Sequence, residues 1–166
     1  MPKDLLIHTV GHSDHTTATF VDLLRDHGIA LVVDVRSQPY SRWAPQFNRG
    51  TLARDLEDAG IAYRFMGDAL GGRPTDQALY DPGHESPDYQ RVEQTPAYQA
   101  GIDQLLELAR TQRVALMCGE GDHRHCHRHL LITQTLLGRG VRVRHIQPDG
   151  GTAEGELIPR QLSLFG

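Results

Sequence analysis

With 166 residues, 39% of them hydrophobic, the chain is long enough for one domain with a buried core. No apolar run approaches the roughly 20 residues of a membrane span, so no membrane partner is expected. The net charge of −4 argues against a broadly basic surface that coats nucleic acid, while leaving room for a local basic patch. The opening Met1–Pro–Lys–Asp4 lacks a secretory signal pattern. Two cysteines without such a signal point to a reducing cytoplasm and to thiols that are free, catalytic or metal-bound.

In chain order, Leu5–Ile7 and Val10 predict a strand ending at Gly11–His12–Ser13. Thr16 or Thr17 caps a helix that buries Phe20, Leu23 and Leu24 and closes at Gly28. Ile29–Val33 is a continuous apolar strand, as a parallel sheet requires, and runs into Asp34–Val–Arg36. A loop with Pro39 and Pro45 leads to a helix marked by Leu52, Leu56 and Ala59, then to a strand from Ile61 to Met66. Residues 67–95 are rich in Gly, Pro and Asp, with a short helix expected near Asp76–Tyr80. Thr95–Pro96 starts a long helix, since proline is favoured at the first helical position. Val114–Met117 is a strand, residues 130–137 a helix, and Val141–Ile146 a last strand before a Gly-rich tail. Alternating strands and helices give an α/β fold, a three-layer sandwich with a mainly parallel central sheet of about five strands. Residues 1–166 form one domain, with 155–166 as a tail available for partner docking.

The chemistry concentrates in Cys118–Gly–Glu–Gly–Asp–His–Arg–His–Cys–His–Arg–His129, which holds both cysteines. It lies where a strand ends and a helix begins, the edge at which α/β folds collect ligands. There a helix N-terminus and neighbouring arginines should lower the Cys126 pKa, with Cys118 as a second thiol. Cys118 and Cys126, joined by His127, also offer zinc the thiolate and imidazole donors it prefers. Cys118–x5–Arg124 has the spacing of a phosphate-binding cysteine loop, although Glu120 and Asp122 put opposing charge inside it. The other strand ends bring His12, Ser13, Asp34, Arg36 and His145 to the same edge. His12 suits an acid or base, and Arg36 an anion clamp or an ion pair with Asp34. Between Val35 and Arg54, arginines alternate with Tyr40, Trp43 and Phe47, a pattern that fits either base stacking or a covering loop.

Thr9–Val–Gly–His–Ser13, Asp34–Val–Arg36, Phe47–Asn48, Leu70–Gly–Gly–Arg73 and Cys118–x–Glu120–x5–Cys126–His–Arg128 together resemble the prokaryotic domain family of unknown function number 488. The resemblance covers nearly the whole chain in order and implies an α/β fold without a known reaction. It adds Asn48, Arg73, His127 and Arg128 to the substrate-binding candidates. The expected catalytic set is Cys118, Glu120, Cys126 and His12.

These readings point to a cytoplasmic enzyme acting on a phosphate-bearing substrate, a nucleotide or nucleic acid. The alternatives are a non-catalytic nucleic-acid module and a zinc-binding protein. Gln161–Leu–Ser–Leu–Phe165 resembles the pentapeptide with which bacterial replication and repair proteins dock on the DNA sliding clamp. Leu162, Leu164 and Phe165 would fill apolar pockets and Gln161 would bond at the rim. This partner ties the chain to DNA repair or replication.

Overall fold

The structure, a computed structural model, describes residues 5–159. Its elements in chain order are β1 (Leu6–Gly11), α1 (Thr17–Asp26), β2 (Leu31–Asp34), α2 (Arg49–Asp58), β3 (Ala62–Phe65), α3 (Gly67–Leu70), α4 (Tyr89–Glu93), α5 (Pro96–Thr111), β4 (Val114–Cys118), α6 (Gln134–Gly138), β5 (Arg142–Ile146) and β6 (Thr152–Glu154). Single 3-10 turns occupy Pro45–Phe47, Gln77–Leu79 and His123–His125, and a π-helical turn spans Arg128–Thr133. The sheet order is β3-β2-β4-β1-β5-β6, parallel throughout except for the antiparallel β6.

Local chemistry sets these boundaries. The Thr16 hydroxyl accepts the Thr19 amide at 3.1 Å and caps α1. Thr95 does the same for α5, with Pro96 at its first position. Gly28 and Gly60, at φ +68° and +81°, let the chain leave α1 and α2 in the left-handed conformation.

The strands alternate faces with period two. Leu31, Val33, Val114, Leu116 and Cys118 point to one side, where they meet Ile102 and Leu105 of α5 and Leu136 of α6. Val32, Ala115 and Met117 point to the other, where Phe20 and Leu24 of α1 and Leu52 and Leu56 of α2 cover them. The result is a three-layer α/β sandwich. Helices after β1 and β2 pack on one face, and those after β3 and β4 on the opposite face. β4 lies between β1 and β2, so chains leaving adjacent strand ends diverge to opposite sides there. In doubly wound sheets that divergence opens a crevice at the C-terminal strand ends.

The sheet has six strands rather than about five, because β6 pairs along β5 where only a tail was expected. Residues 67–95 fold as short turns: α3, the 3-10 turn capped by Asp76, and α4 capped by Asp88. Among the described residues no helix is long and apolar enough to cross a membrane. The docking peptide Gln161–Phe165 lies outside the described residues.

Candidate functional site

The site begins with the backbone at the ends of β1 and β4. The His12 and Ser13 amides donate to the Cys118 and Gly119 carbonyls at 2.9 and 3.1 Å, extending the ladder past both strands. The loop after β4 then folds across β1 so closely that a Cβ on Gly11 would lie 1.9 Å from the Glu120 carbonyl oxygen. Only glycine fits at that crossing. Ser13, at φ 49°, is the one non-glycine residue with positive φ among the described residues. Such backbone is held in place by its surroundings and clusters at functional sites.

Beneath this crossing lies Arg128, the largest fully buried side chain among the described residues. Its Nε donates to Cys118 Sγ at 3.0 Å, and its Nη2 to the Glu120 and Gly121 carbonyls at 2.9 and 3.2 Å. Nη1 donates to the Thr9 hydroxyl. With that hydroxyl accepting from Arg128, its own proton goes to His145 Nδ1, 2.6 Å away. None of these partners is a carboxylate. A buried guanidinium requires a counter-charge, and here the Cys118 sulfur is the one partner able to carry it.

The electrostatics agree. Burial alone would raise the Cys118 pKa. The Cys126 thiol, which donates to Cys118 Sγ at 2.6 Å, and the charge and N–H of Arg128 more than offset it, lowering the pKa from 9.0 to about 7. Cys126 moves the other way: donating to the neighbouring thiolate, together with its own burial, pushes its pKa well up. Of the two, Cys118 is therefore the sulfur that ionises first, and Cys126 the thiol that supports it.

Above the pair opens a cleft of about 750 Å³, lined by His12, Arg36, Ser37, Gln38, Tyr40, Ser41, Gly72, Arg73, Ser86, Tyr89, Cys118, Gly119, Glu120, His125, Cys126 and His127. His12 stacks on Phe47 with ring centroids 4.5 Å apart. Its Nδ1 lies 2.8 Å from the Ser13 carbonyl, an acceptor only, so Nδ1 carries the proton and Nε2 keeps its lone pair. Burial lowers the His12 pKa, opposed by the Ser13 carbonyl, and Arg36 adds to the lowering. The ring is thus neutral at pH 7 and able to accept a proton at Nε2.

Arg36 is held from below by Asp34, with Nε to Oδ1 at 2.9 Å and Nη2 to Oδ2 at 2.8 Å. The Arg36 amide adds a third bond to Asp34 Oδ1 at 3.1 Å, and the Tyr63 hydroxyl donates a fourth to Oδ2 at 2.6 Å. Arg73 is exposed at the mouth, its amide fixed by the Ser37 hydroxyl at 2.8 Å. His127 Nε2 donates to the Val35 carbonyl at 2.9 Å; burial, only partly offset by that bond, lowers its pKa to about 4. It packs against Gly72, where a Cβ would come within 2.8 Å of the ring.

The expected residues separate into layers. His12, Arg36, Arg73, Cys118, Glu120, Cys126 and His127 share the cleft. Asp34, Arg128 and His145 are fully buried and support it from beneath. Ser13 faces a neighbouring depression with Gly121 and Asp122. Asn48 accepts the Ser41 amide at 2.7 Å and shapes the loop at the rim.

Two expectations change, and a spacing match that Glu120 and Asp122 already opposed goes unrealised. The lowered thiol is Cys118, not Cys126, because Arg128 reaches back to the strand end. The phosphate-binding cysteine loop does not form: Arg124 points outward into a two-bond pair with Asp122, and the loop aims the Glu120 and Gly121 carbonyls at Arg128. Nor do Cys118, Cys126 and His127 fit a zinc centre. Cys118 already holds a guanidinium, His127 Nε2 is spent on Val35, and among the described residues no three His, Cys, Asp or Glu side chains group to hold a metal. Sequence reasoning missed Thr9, which looks like any small β-strand residue, and the rim residues Ser37, Gln38, Ser86 and Tyr89, whose loops carry no periodic signal.

The geometry defines an α/β protein with a buried cysteine–arginine pair at the floor of a strand-end cleft. The chain belongs to the family described as Domain of unknown function DUF488, whose match spans residues 16–134. No curated protein and no solved structure matches the chain.

Proposed function

We propose that the protein is a thiol-dependent enzyme, a hydrolase or transferase, acting on a phosphate-bearing substrate in this cleft. One observation carries the reading: among the described residues, the one hydrogen-bond partner of the buried Arg128 able to balance its charge is the Cys118 sulfur at the cleft floor. A packing cysteine needs no such partner. In the proposed reaction the Cys118 thiolate bonds to an electrophilic centre of the substrate and displaces the leaving group. His12 Nε2 then takes a proton from the incoming acceptor, which breaks the thiol adduct and restores the thiolate. Arg73 at the mouth and Arg36, which lines the cleft while paired to Asp34, attract the phosphate. The Tyr40 and Tyr89 rings at the mouth favour a nucleotide, or a nucleotide within a nucleic acid, since every base offers a face to stack on.

The test is alkylation of the folded chain followed by turnover of a nucleotide panel. Cys118 is expected to alkylate with a midpoint near pH 7, and Cys118→Ser to abolish turnover. An ordinary free-thiol profile at Cys118 would remove the reading.

A second reading, a nucleic-acid module tethered to the sliding clamp in DNA replication or repair, has one observation in its favour. Trp43 is 88% exposed and Tyr40 67%, with the Arg42 guanidinium 5.9 Å from the Trp43 ring. Only Phe47 of this stretch packs in the core. Quenching of Trp43 fluorescence by single-stranded DNA, lost in Arg42→Ala, together with clamp binding lost in a Leu164→Ala, Phe165→Ala variant, would support the module. Loss of neither would remove it.

A further inference from the structure

The two sulfurs have a relation that substrate turnover does not require. Cys126 Sγ lies 2.6 Å from Cys118 Sγ and donates its proton to it. Both are free, largely buried thiols that line the floor of the cleft, eight residues apart in a loop that contains two glycines. Arg128 holds the acceptor sulfur from the buried side, leaving the cleft side to a small reagent.

We propose that Cys118 and Cys126 are a redox couple that closes reversibly to a disulfide on exposure to a hydroperoxide and thereby switches the cleft off. The Cys118 thiolate attacks a peroxide oxygen. An S–O bond forms, the O–O bond breaks, and the leaving alkoxide or hydroxide takes up a proton from water. Cys118 is now a sulfenic acid, oxidised by two electrons. The Cys126 sulfur attacks it: an S–S bond forms, the S–O bond breaks, and the departing hydroxide takes the Cys126 proton to leave as water. In sum, two thiols and one hydroperoxide give one disulfide, one alcohol and one water. A dithiol reductant reverses the step by thiol–disulfide exchange.

Oxidation has a built-in structural consequence. Once the Cys118 sulfur is neutral, Arg128 keeps its Thr9 and carbonyl partners but loses its counter-charge. A buried cation left in that state strains its surroundings, so the loop over Gly11 is expected to loosen.

The inference rests on the thiolate used in the proposed function but not on any substrate, so the two can fail separately. The wild-type chain is treated with hydrogen peroxide at pH 7 and followed by intact mass and peptide mapping. The expected result is loss of two hydrogens, a cross-linked pair of peptides carrying Cys118 and Cys126, and full recovery with dithiothreitol. Its rate should exceed that of free cysteine by about tenfold, the ratio of their thiolate fractions. In Cys126→Ala, Cys118 should accumulate as a sulfenic acid trapped by dimedone. In Cys118→Ala no disulfide can form, and the buried Cys126 should react more slowly than Cys118 does in the wild-type chain. Oxygen addition at Cys118 without a cross-link in the wild-type chain, or Cys126 reacting as fast without Cys118, overturns the couple. An alkylation midpoint near pH 7 with no disulfide overturns the couple alone, whereas an ordinary alkylation profile overturns both readings.

Discussion

At the scale of single residues the molecule turns on Arg128. Its five N–H groups form a planar fork that reaches the sulfur, a hydroxyl and two carbonyls at once. Lysine has the charge without the fork. Arg128→Lys is expected to keep part of the Cys118 shift, and Arg128→Leu to abolish it, lowering alkylation at pH 7 by about tenfold. Iodoacetamide rates measured against pH will show the order; equal profiles in all three proteins would contradict it. The thiolate also enters stability. A group lowered on folding stabilises the fold above its unfolded pKa, and that contribution is lost as pH falls through the folded value. For Cys118 the window runs from pH 9 down to about 7. Cys126, raised on folding, stabilises below its unfolded pKa and loses that contribution as pH rises beyond it. Urea midpoints should therefore rise from about pH 7 to a peak near pH 9, and Cys118→Ser should flatten that rise.

At the scale of elements, the turn that delivers Arg128 is π-helical. The Thr133 hydroxyl donates to the Arg128 carbonyl at 2.6 Å, five residues back, where an α-helix would use a backbone amide. The extra residue rotates the first turn relative to the rest. Arg128 can then reach under the sheet edge while Leu131, Ile132 and Leu136 still pack in the core. π-turns inside helices recur at functional sites for this reason. Thr133→Val removes the donor while keeping the shape. It is expected to cost about 1 kcal/mol by urea denaturation and to broaden the Cys118 alkylation midpoint as Arg128 loosens. An unchanged midpoint would show that the helix needs no such strut.

Much of this frame was legible in the sequence. Continuous apolar runs gave β2 and β4, and caps and glycines bounded α1 and α5. Strand-end arithmetic brought His12, Arg36, Cys118 and Glu120 together. The π-turn was not legible, because an apolar stripe with 3.6-residue spacing reads the same with one residue inserted. β6 was not legible either: Thr152–Ala–Glu154 is three residues with one apolar side chain, and its pairing comes from β5 and from Glu154 meeting Arg142 and Arg144. The division of labour between the cysteines depends on a contact across ten residues that no spacing rule supplies.

At the scale of the whole molecule, the fold encloses several imidazoles that stay neutral. Burial first, with neighbouring positive charge, lowers His8 and His123 to about 4 and His145 to about 2; burial, partly opposed by carbonyl bonds, lowers His127 to about 4. Below the ordinary value of 6.5 the unfolded chain binds protons that the folded chain refuses. The contribution of these histidines is therefore full above pH 6.5 and falls as pH drops towards 4. The slope should reach about 1.4 kcal/mol per pH unit for each proton taken up, so Tm should fall steeply between pH 6 and 4. A flat Tm over that range would mean that these rings protonate in place.

The Arg128 bonds also set a clock. Thr9 lies 119 residues from Arg128 and 136 from His145 along the chain, so the bonds that hold the Arg128 fork beneath Cys118 join distant parts of the sequence. Contacts of such sequence separation form late in folding. A chain still emerging from the ribosome carries Cys118 at the end of β4 as an ordinary, sluggish thiol until Arg128 docks beneath it. Reactivity of Cys118 is then a certificate of completed folding: stopped-flow alkylation during refolding should show the fast thiol appearing with the slowest structural phase, after helix content has already recovered.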